Sequence, residues 1–280
     1  MNETTETADA APFGARPLRL QWPDDLPRHW FGGNEFASHL MNALSITFPQ
    51  GEKMFIDAVR ACRDRNSDPR LDAEIAAFVS QEGWHRSVHI GYNEWLARQG
   101  YPVAELEARQ ARKTARLIAT LRPRGQLAVT VCLEHFTALL ARLLLSDRRR
   151  LQRMHPQLAQ VWRWHSLEEL EHKSVAFDLF VASGGRYSTR VKAMLFVTAH
   201  FVIDIGRNVT ALMRADPTLS RRRAFVQALR FLLGDEPGVL WRALPGYLAF
   251  FSPRFHPAQH DDRALVEEVA RELPLNPRGS

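Results

Sequence analysis

The sequence predicts an all-α fold. Apolar residues recur with a 3.6-residue period through long stretches, and alternating β-branched strand patterns of any length are missing. Turn signals fall between the periodic stretches and not within them. With 280 residues, 45% hydrophobic and 24% charged, the chain has ordinary globular composition and enough apolar content for one large core or two modest ones.

The elements follow in order. The opening MNETTETADAAPFG is polar and acidic without an apolar run, so it reads as part of a flexible leader over 1–30 and not as a signal peptide. A helix is expected from near Asn34 to about Arg65, with Pro49 kinking or breaking it. SDPRL opens a second, with Asp68 as N-cap and Pro69 at the first helical position, and Gly100 closes it. A polar helix over 102–121, an apolar one over 125–146 and a long one from Pro156 to Ser183 complete a bundle domain over 31–186.

Residues 187–280 are expected to form a helical extension packed on that bundle. Its apolar helix over 188–213 is interrupted by Lys192, His200, Asp204 and Arg207, which fits a buried or interfacial helix better than a membrane span. A basic amphipathic helix over 221–233, a proline- and aromatic-rich segment and a helix near 261–273 follow. Two cysteines, Cys62 and Cys132, make no disulfide framework, so a reducing, cytoplasmic setting is expected. The net charge of +6 is concentrated in DRRRLQR and SRRR, at expected helix ends where arginine complements the helix dipole. No RNA-binding signature or zinc-finger spacing accompanies them, and no nucleic-acid partner is expected.

The chemistry is concentrated in two repeats. Glu82 and His85 share a helical face at three-residue spacing, and so do Glu169 and His172. Each pair is preceded by a helix offering one carboxylate from an apolar face: Glu52 among Phe48, Phe55, Ile56 and Val59, and Glu134 among Leu127, Val131, Ala138 and Ala141. Carboxylates buried in such stripes must be paired or metal-bound, because an uncompensated buried charge costs several kcal/mol. One Glu from each of two helices plus Glu-x-x-His from each of two others is the ligand set of ferritin-like di-iron and di-manganese bundles.

Glu52, Glu82, His85, Glu134, Glu169 and His172 are therefore the expected metal-binding and catalytic residues. His89 and His165 lie on the same faces and are read first as core or supporting residues, with direct ligation as the alternative. Asn93 and Glu168 are expected to support the ligands, while Glu171 points away, solvated or salt-bridged. HRSVH places two histidines at the spacing of zincin proteases, but Arg86 stands where those carry their catalytic Glu.

FPQGEKMFI, QEGWHRSVHIGYN, LEHFTALLA, WHSLEELEHKSVAFD and the late FHP resemble a bacterial family of predicted metal-dependent hydrolases, from about Pro17 to Pro257. The resemblance implies a metal-dependent enzyme. The oxygen-rich donor set suits two iron ions, with manganese or a mixed iron–manganese pair as alternatives and zinc a poorer fit.

Such ligand sets resemble those of oxygenases and desaturases more often than hydrolases. The leading expectation is thus an oxidoreductase activating O2 against a small apolar or aromatic substrate, served by an electron donor. The alternative is hydrolysis by a hydroxide held between the metals, and the third reading is an iron-binding or storage bundle. The C-terminal apolar segment adds the expectation of a substrate pocket or peripheral membrane contact, and a homodimer is a further expectation.

Overall fold

A computed structural model describes residues 13–234 and 238–273, and its regular structure is helical. The helices are α1 (Glu35–Cys62), α2 (Pro69–Arg98), α3 (Val103–Thr120), α4 (Pro123–Leu145), α5 (Arg148–Gln152), α6 (Pro156–His172), α7 (Val175–Ala182), α8 (Tyr187–Ala215), α9 (Arg221–Leu233), α10 (Val239–Ala249) and α11 (Arg263–Glu272). Local chemistry sets several starts. The side chains of Asn34, Asp68, Asp147 and Ser220 each accept a hydrogen bond from a backbone N–H of the first turn of α1, α2, α5 and α9. Pro69 and Pro123 occupy first-turn positions where a missing N–H costs nothing.

Three expectations need correction. Pro49 does not break α1. A proline frees the carbonyl four residues back, and that carbonyl, Ser45 O, accepts from Asn93 Nδ2 on α2 at 3.3 Å. A tertiary contact thus replaces the lost helical bond. The long helix over 156–183 is interrupted at Lys173 and Ser174, although both keep right-handed backbone angles. Lys173 Nζ is pulled to His260 O at 2.6 Å and Asp262 Oδ2 at 2.5 Å.

The stretch read as leader packs from Phe13 onward, while residues 1–12 lie outside the described residues. Trp22 stacks on Tyr92 at 5.2 Å, and Trp30, 1% exposed, donates from Nε1 to Asn42 at 2.9 Å. Burying such large aromatic surfaces offsets the entropy of ordering the segment.

α1, α2, α4 and the α6–α7 pair form a closed ring of four, each packing on its two neighbours. The two apolar clusters fix their directions. One cluster takes the beginning of α1 (Phe36–Ile46) and the ends of α2 and α4 (Val88–Leu96, Ala138–Leu145), together with α6. The other takes the end of α1 (Met54–Cys62), the beginnings of α2 and α4, and α7. Hence α1 and α6–α7 run one way and α2 and α4 the other. Antiparallel hairpins are joined by a crossover that contains α3, which packs on α1 and α2. α8 lies across α1 and α4, α9 on α1, α10 on α4 and α9, and α11 on α6.

α4 and α8 are the described helices long and apolar enough to cross a membrane. α4 is largely enclosed by the ring, whereas the apolar window of α8 is only 28% buried.

Phe78, fully buried, sets its ring edge-on against His172 at 4.8 Å. Phe78→Ala should cost ~3–5 kcal/mol of stability, the usual penalty for truncating a packed aromatic. Chemical denaturation measures it, and a loss below about 1 kcal/mol would mean that the cluster collapses to fill the space.

Candidate metal centre

Between the two apolar clusters lies a belt of buried polar groups, one set from each helix of the ring. α1 supplies Glu52, α2 supplies Glu82, His85 and His89, α4 supplies Glu134, and α6 supplies His165, Glu168, Glu169 and His172, all buried. The structure thus brings together every residue that the spacing selected.

His172 Nε2 lies 3.3 Å from Glu82 Oε1, 3.4 Å from Glu134 Oε2 and 3.6 Å from Glu169 Oε2. His85 Nδ1 lies 3.4 Å from Glu169 Oε1 and 3.8 Å from Glu82 Oε1. Donor atoms of Glu52, Glu82 and His85 fall within 4.8 Å of one another, as do those of Glu82, Glu169 and His172. Glu82 is common to both sets.

The inward atoms are orphans. Both carboxylate oxygens of Glu52, Glu82 and Glu134, together with Glu169 Oε2, His85 Nδ1 and His172 Nε2, are buried without a hydrogen-bond partner. Buried polar atoms are normally satisfied. A concentration of unsatisfied oxygens and ring nitrogens facing one another fits cations.

The outer side of each histidine is locked, and the bonding fixes its tautomer. Gln81 Nε2 donates to Glu171 Oε2 at 2.9 Å and Gly14 O at 3.2 Å, so its Oε1 must accept from His172 Nδ1–H at 2.9 Å. Glu168 Oε2, a pure acceptor, receives His85 Nε2–H at 3.0 Å, and Glu168 Oε1 is held by the backbone N–H of Arg16 at 2.8 Å.

A third chain is longer. Asn93 Nδ2 donates to Glu107 at 2.8 Å, so Asn93 Oδ1 accepts from the Ser45 hydroxyl at 2.8 Å. With its one proton committed, Ser45 Oγ accepts from His89 Nδ1–H at 2.9 Å. His89 Nε2 then accepts from His165 Nδ1–H at 3.0 Å. That leaves His165 Nε2 facing Glu169 Oε1 at 3.1 Å, a pair that a proton or a metal ion between them would satisfy. Metal-binding histidines characteristically donate their second N–H to an oxygen or other acceptor in this way.

Electrostatics bear on which protons a metal would displace. Burial, and then the charge of Glu169, raise the Glu134 carboxyl to about 7. Burial also holds Glu52 and Glu82 above their ordinary range, with neighbouring carboxylates adding to it. Burial opposes ionisation of Glu169 as well, but contacts with His165 and His172 outweigh it and hold that group well below the usual range. Burial and the charge of His85 push His165 down to about 4, leaving it a neutral imidazole.

Several residues take roles that the sequence did not assign. Gln81 fixes His172 directly, Arg16 holds Glu168, and Ser45 links Asn93 to His89. Ser45 lies seven residues before Glu52, hence on its face of α1, a signal that was available. Gln81 and Arg16 carried no such signal. Glu171 takes the salt-bridged alternative: Arg16 clamps it through both guanidinium nitrogens at 2.6 and 2.5 Å. Glu171→Ala should leave metal content unchanged, since Gly14 O still fixes the Gln81 amide. Loss of metal on elemental analysis would place Glu171 among the ligands.

A separate group escaped the sequence reading because its members share no spacing. His29 and His39 both bond Asp216 Oδ2, at 2.7 and 2.9 Å, tying the N-terminal segment and α1 to the turn after α8. His135 follows Glu134 in sequence and so points about 100° away from it round α4; it bonds Gly246 O at 3.1 Å, outside the belt.

Beside the belt is a largely apolar cavity. His165, Phe48 and Trp162 form its wall at the metal side, and Phe201, Phe231 and Val239 its wall toward α8–α10.

Searches of curated proteins and of solved structures gave no match. Residues 14–261 match the family described as "Predicted metal-dependent hydrolase", the family that the sequence motifs resemble. With 248 of 280 residues covered and its buried carboxylates and imidazoles arranged as above, the chain belongs to the predicted metal-dependent hydrolase family.

Proposed function

We propose that the chain is a metal-dependent hydrolase with a dinuclear centre in a ferritin-like bundle, acting on an apolar or aromatic substrate. The observation that carries this is the set of locked histidines: each has its outer nitrogen fixed as a donor and its inner nitrogen turned to the carboxylates of the belt. Glu52, Glu82, Glu134 and Glu169 would hold the two metals, with His85 and His172 as nitrogen ligands. His165 joins them as a direct ligand, while His89, Asn93 and Glu168 hold the imidazoles.

When bound, such a pair supplies Lewis acidity toward a carbonyl and acidifies water. The remaining work falls to the chain. Phe48 and Trp162 orient an apolar group beside His165, and the hydrocarbon walls exclude bulk water. Thr137 and Ser166 are small hydroxyls on the cavity wall; Thr137 donates to Glu134 O at 2.9 Å and can still accept from a substrate's polar end.

The family description favours hydrolysis over the oxidation that the ligand pattern alone placed first. One observation keeps O2 activation by two irons as a second reading: four carboxylates and three imidazoles form a hard site suited to iron or manganese. Iron storage fits less well, because a storage bundle has no use for an apolar cavity beside its metal site.

The test begins with metal content of protein from iron-supplemented cells. Nitrophenyl esters of graded chain length are then assayed alongside O2 uptake by the reduced protein. Chelator-sensitive ester cleavage supports hydrolysis. O2 uptake with a transient visible band and no ester cleavage transfers the assignment to oxidation. Protein that takes up no metal sinks both.

A further inference from the structure

Thirteen of the fifteen exposed large hydrophobic side chains among the described residues lie on α8, α9 and α10. They are not scattered. On α9, Phe225, Val226, Leu229 and Leu233 fall on one helical face, and on α10 so do Leu240, Trp241, Leu244 and Leu248. α8 contributes Leu195, Val202 and Ile203, with Val202 64% exposed, opposite the face it packs on the bundle. The three helices are linked: α10 packs on α9, and Tyr247 of α10 reaches Thr198 of α8 at 3.0 Å. Exposed apolar faces gathered on linked helices of a globular chain mark an interaction site.

Charge identifies the occupant. Lys192, Arg207 and Arg214 on α8, and Arg221, Arg222 and Arg230 on α9, are all exposed. Asp204 is the one acidic residue in the three helices, and Lys113 pairs with it. Amphipathic helices with apolar and aromatic faces bordered by Arg and Lys bind anionic bilayers. A second copy of this chain would bring the same arginines face to face, which a lipid headgroup layer avoids. The inner sides of these helices, through Phe201, Phe231 and Val239, line the cavity that reaches His165, so the surface and the candidate centre share walls.

We propose that the α8–α10 face docks on an anionic phospholipid bilayer as a peripheral surface. The inference goes beyond the proposed chemistry and holds for either reading of it, since docking needs no turnover.

The test is co-sedimentation of the full metal-loaded chain with phosphatidylcholine vesicles, with and without a minority of phosphatidylglycerol. Binding is expected only with the anionic vesicles, weakened about tenfold or more by high salt. Phe225→Glu with Trp241→Glu should lower it at least as much, while metal content and the helical circular dichroism spectrum stay unchanged, because both side chains are exposed. Absence of binding to anionic vesicles at low salt overturns the proposal. So does wild-type binding by the double variant. A lipid-indifferent dimer that the same variant dissociates would assign the face to a second copy and equally overturn it.

Discussion

Glu134→Ala is expected to lose at least one of two metal equivalents. Glu134 is the carboxylate that α4 brings to the belt, both its oxygens lack a hydrogen-bond partner, and Oε2 faces His172 Nε2 at 3.4 Å. Elemental analysis of the purified variant measures the loss, and full retention of two metals would remove Glu134 from the ligand set.

A second readout separates a ligand from a structural residue. In the metal-free protein, four carboxylates converge in a buried belt, so removing one relieves repulsion and desolvation. Glu134→Gln, which keeps the shape, should therefore raise the melting temperature of the metal-free protein while lowering that of the metal-loaded protein. A residue needed only for packing would lower both.

Much of this site was legible in the sequence, because a helix turns spacing into direction. Glu82 with His85 and Glu169 with His172 had to share a face, and Glu52 and Glu134 stood out as charges in apolar stripes. The structure places all six in one belt. What was not legible depends on contacts between elements. Pro49 looked like a break because the sequence cannot show Asn93 arriving at the Ser45 carbonyl.

The roles of Gln81 and Arg16 depend on which groups lie across from them, on α6 and on the N-terminal segment. That segment was read as flexible from its polar start, although Trp22, Leu26 and Trp30 already gave it large apolar surfaces to bury. The same limit applies to the break at Lys173, which is held by residues of the distant C-terminal stretch. His165 was ranked behind the six for a similar reason. Only the bonded chain from Asn93 through Ser45 and His89 fixes which of its nitrogens is free.

Metal loading should stabilise the protein by an amount that grows with pH, and the sign follows from the site's own titration. Burial first, and then neighbouring carboxylates, hold Glu52 and Glu82 above their ordinary range and Glu134 at about 7. A carboxyl raised in the folded state contributes stability at low pH that is lost as pH climbs from the ordinary carboxylate value through the raised one. Burial alone would lower His85 and His172, but Glu168 and Glu169 around the first, and Glu134 and Glu169 around the second, hold both well above ordinary histidine. Their contribution also fades as pH rises. Glu169 runs the other way, being held low, and its contribution is lost only on acidification through its depressed value.

The metal-free protein should accordingly weaken between about pH 5 and pH 8. Metal binding displaces the same protons and so tightens over that window. Calorimetric melting with and without chelator should show a gap in melting temperature that is small at about pH 5 and widens toward about pH 8. Titration of metal in two buffers of different ionisation enthalpy should show net proton release. A gap that narrows with rising pH, or binding without proton release, would mean that these carboxyls and imidazoles are not the groups the metal displaces. Because His165 is pushed down to about 4, it stays neutral throughout this window and has no proton to surrender, so the release should come from the carboxyls and from His85 and His172.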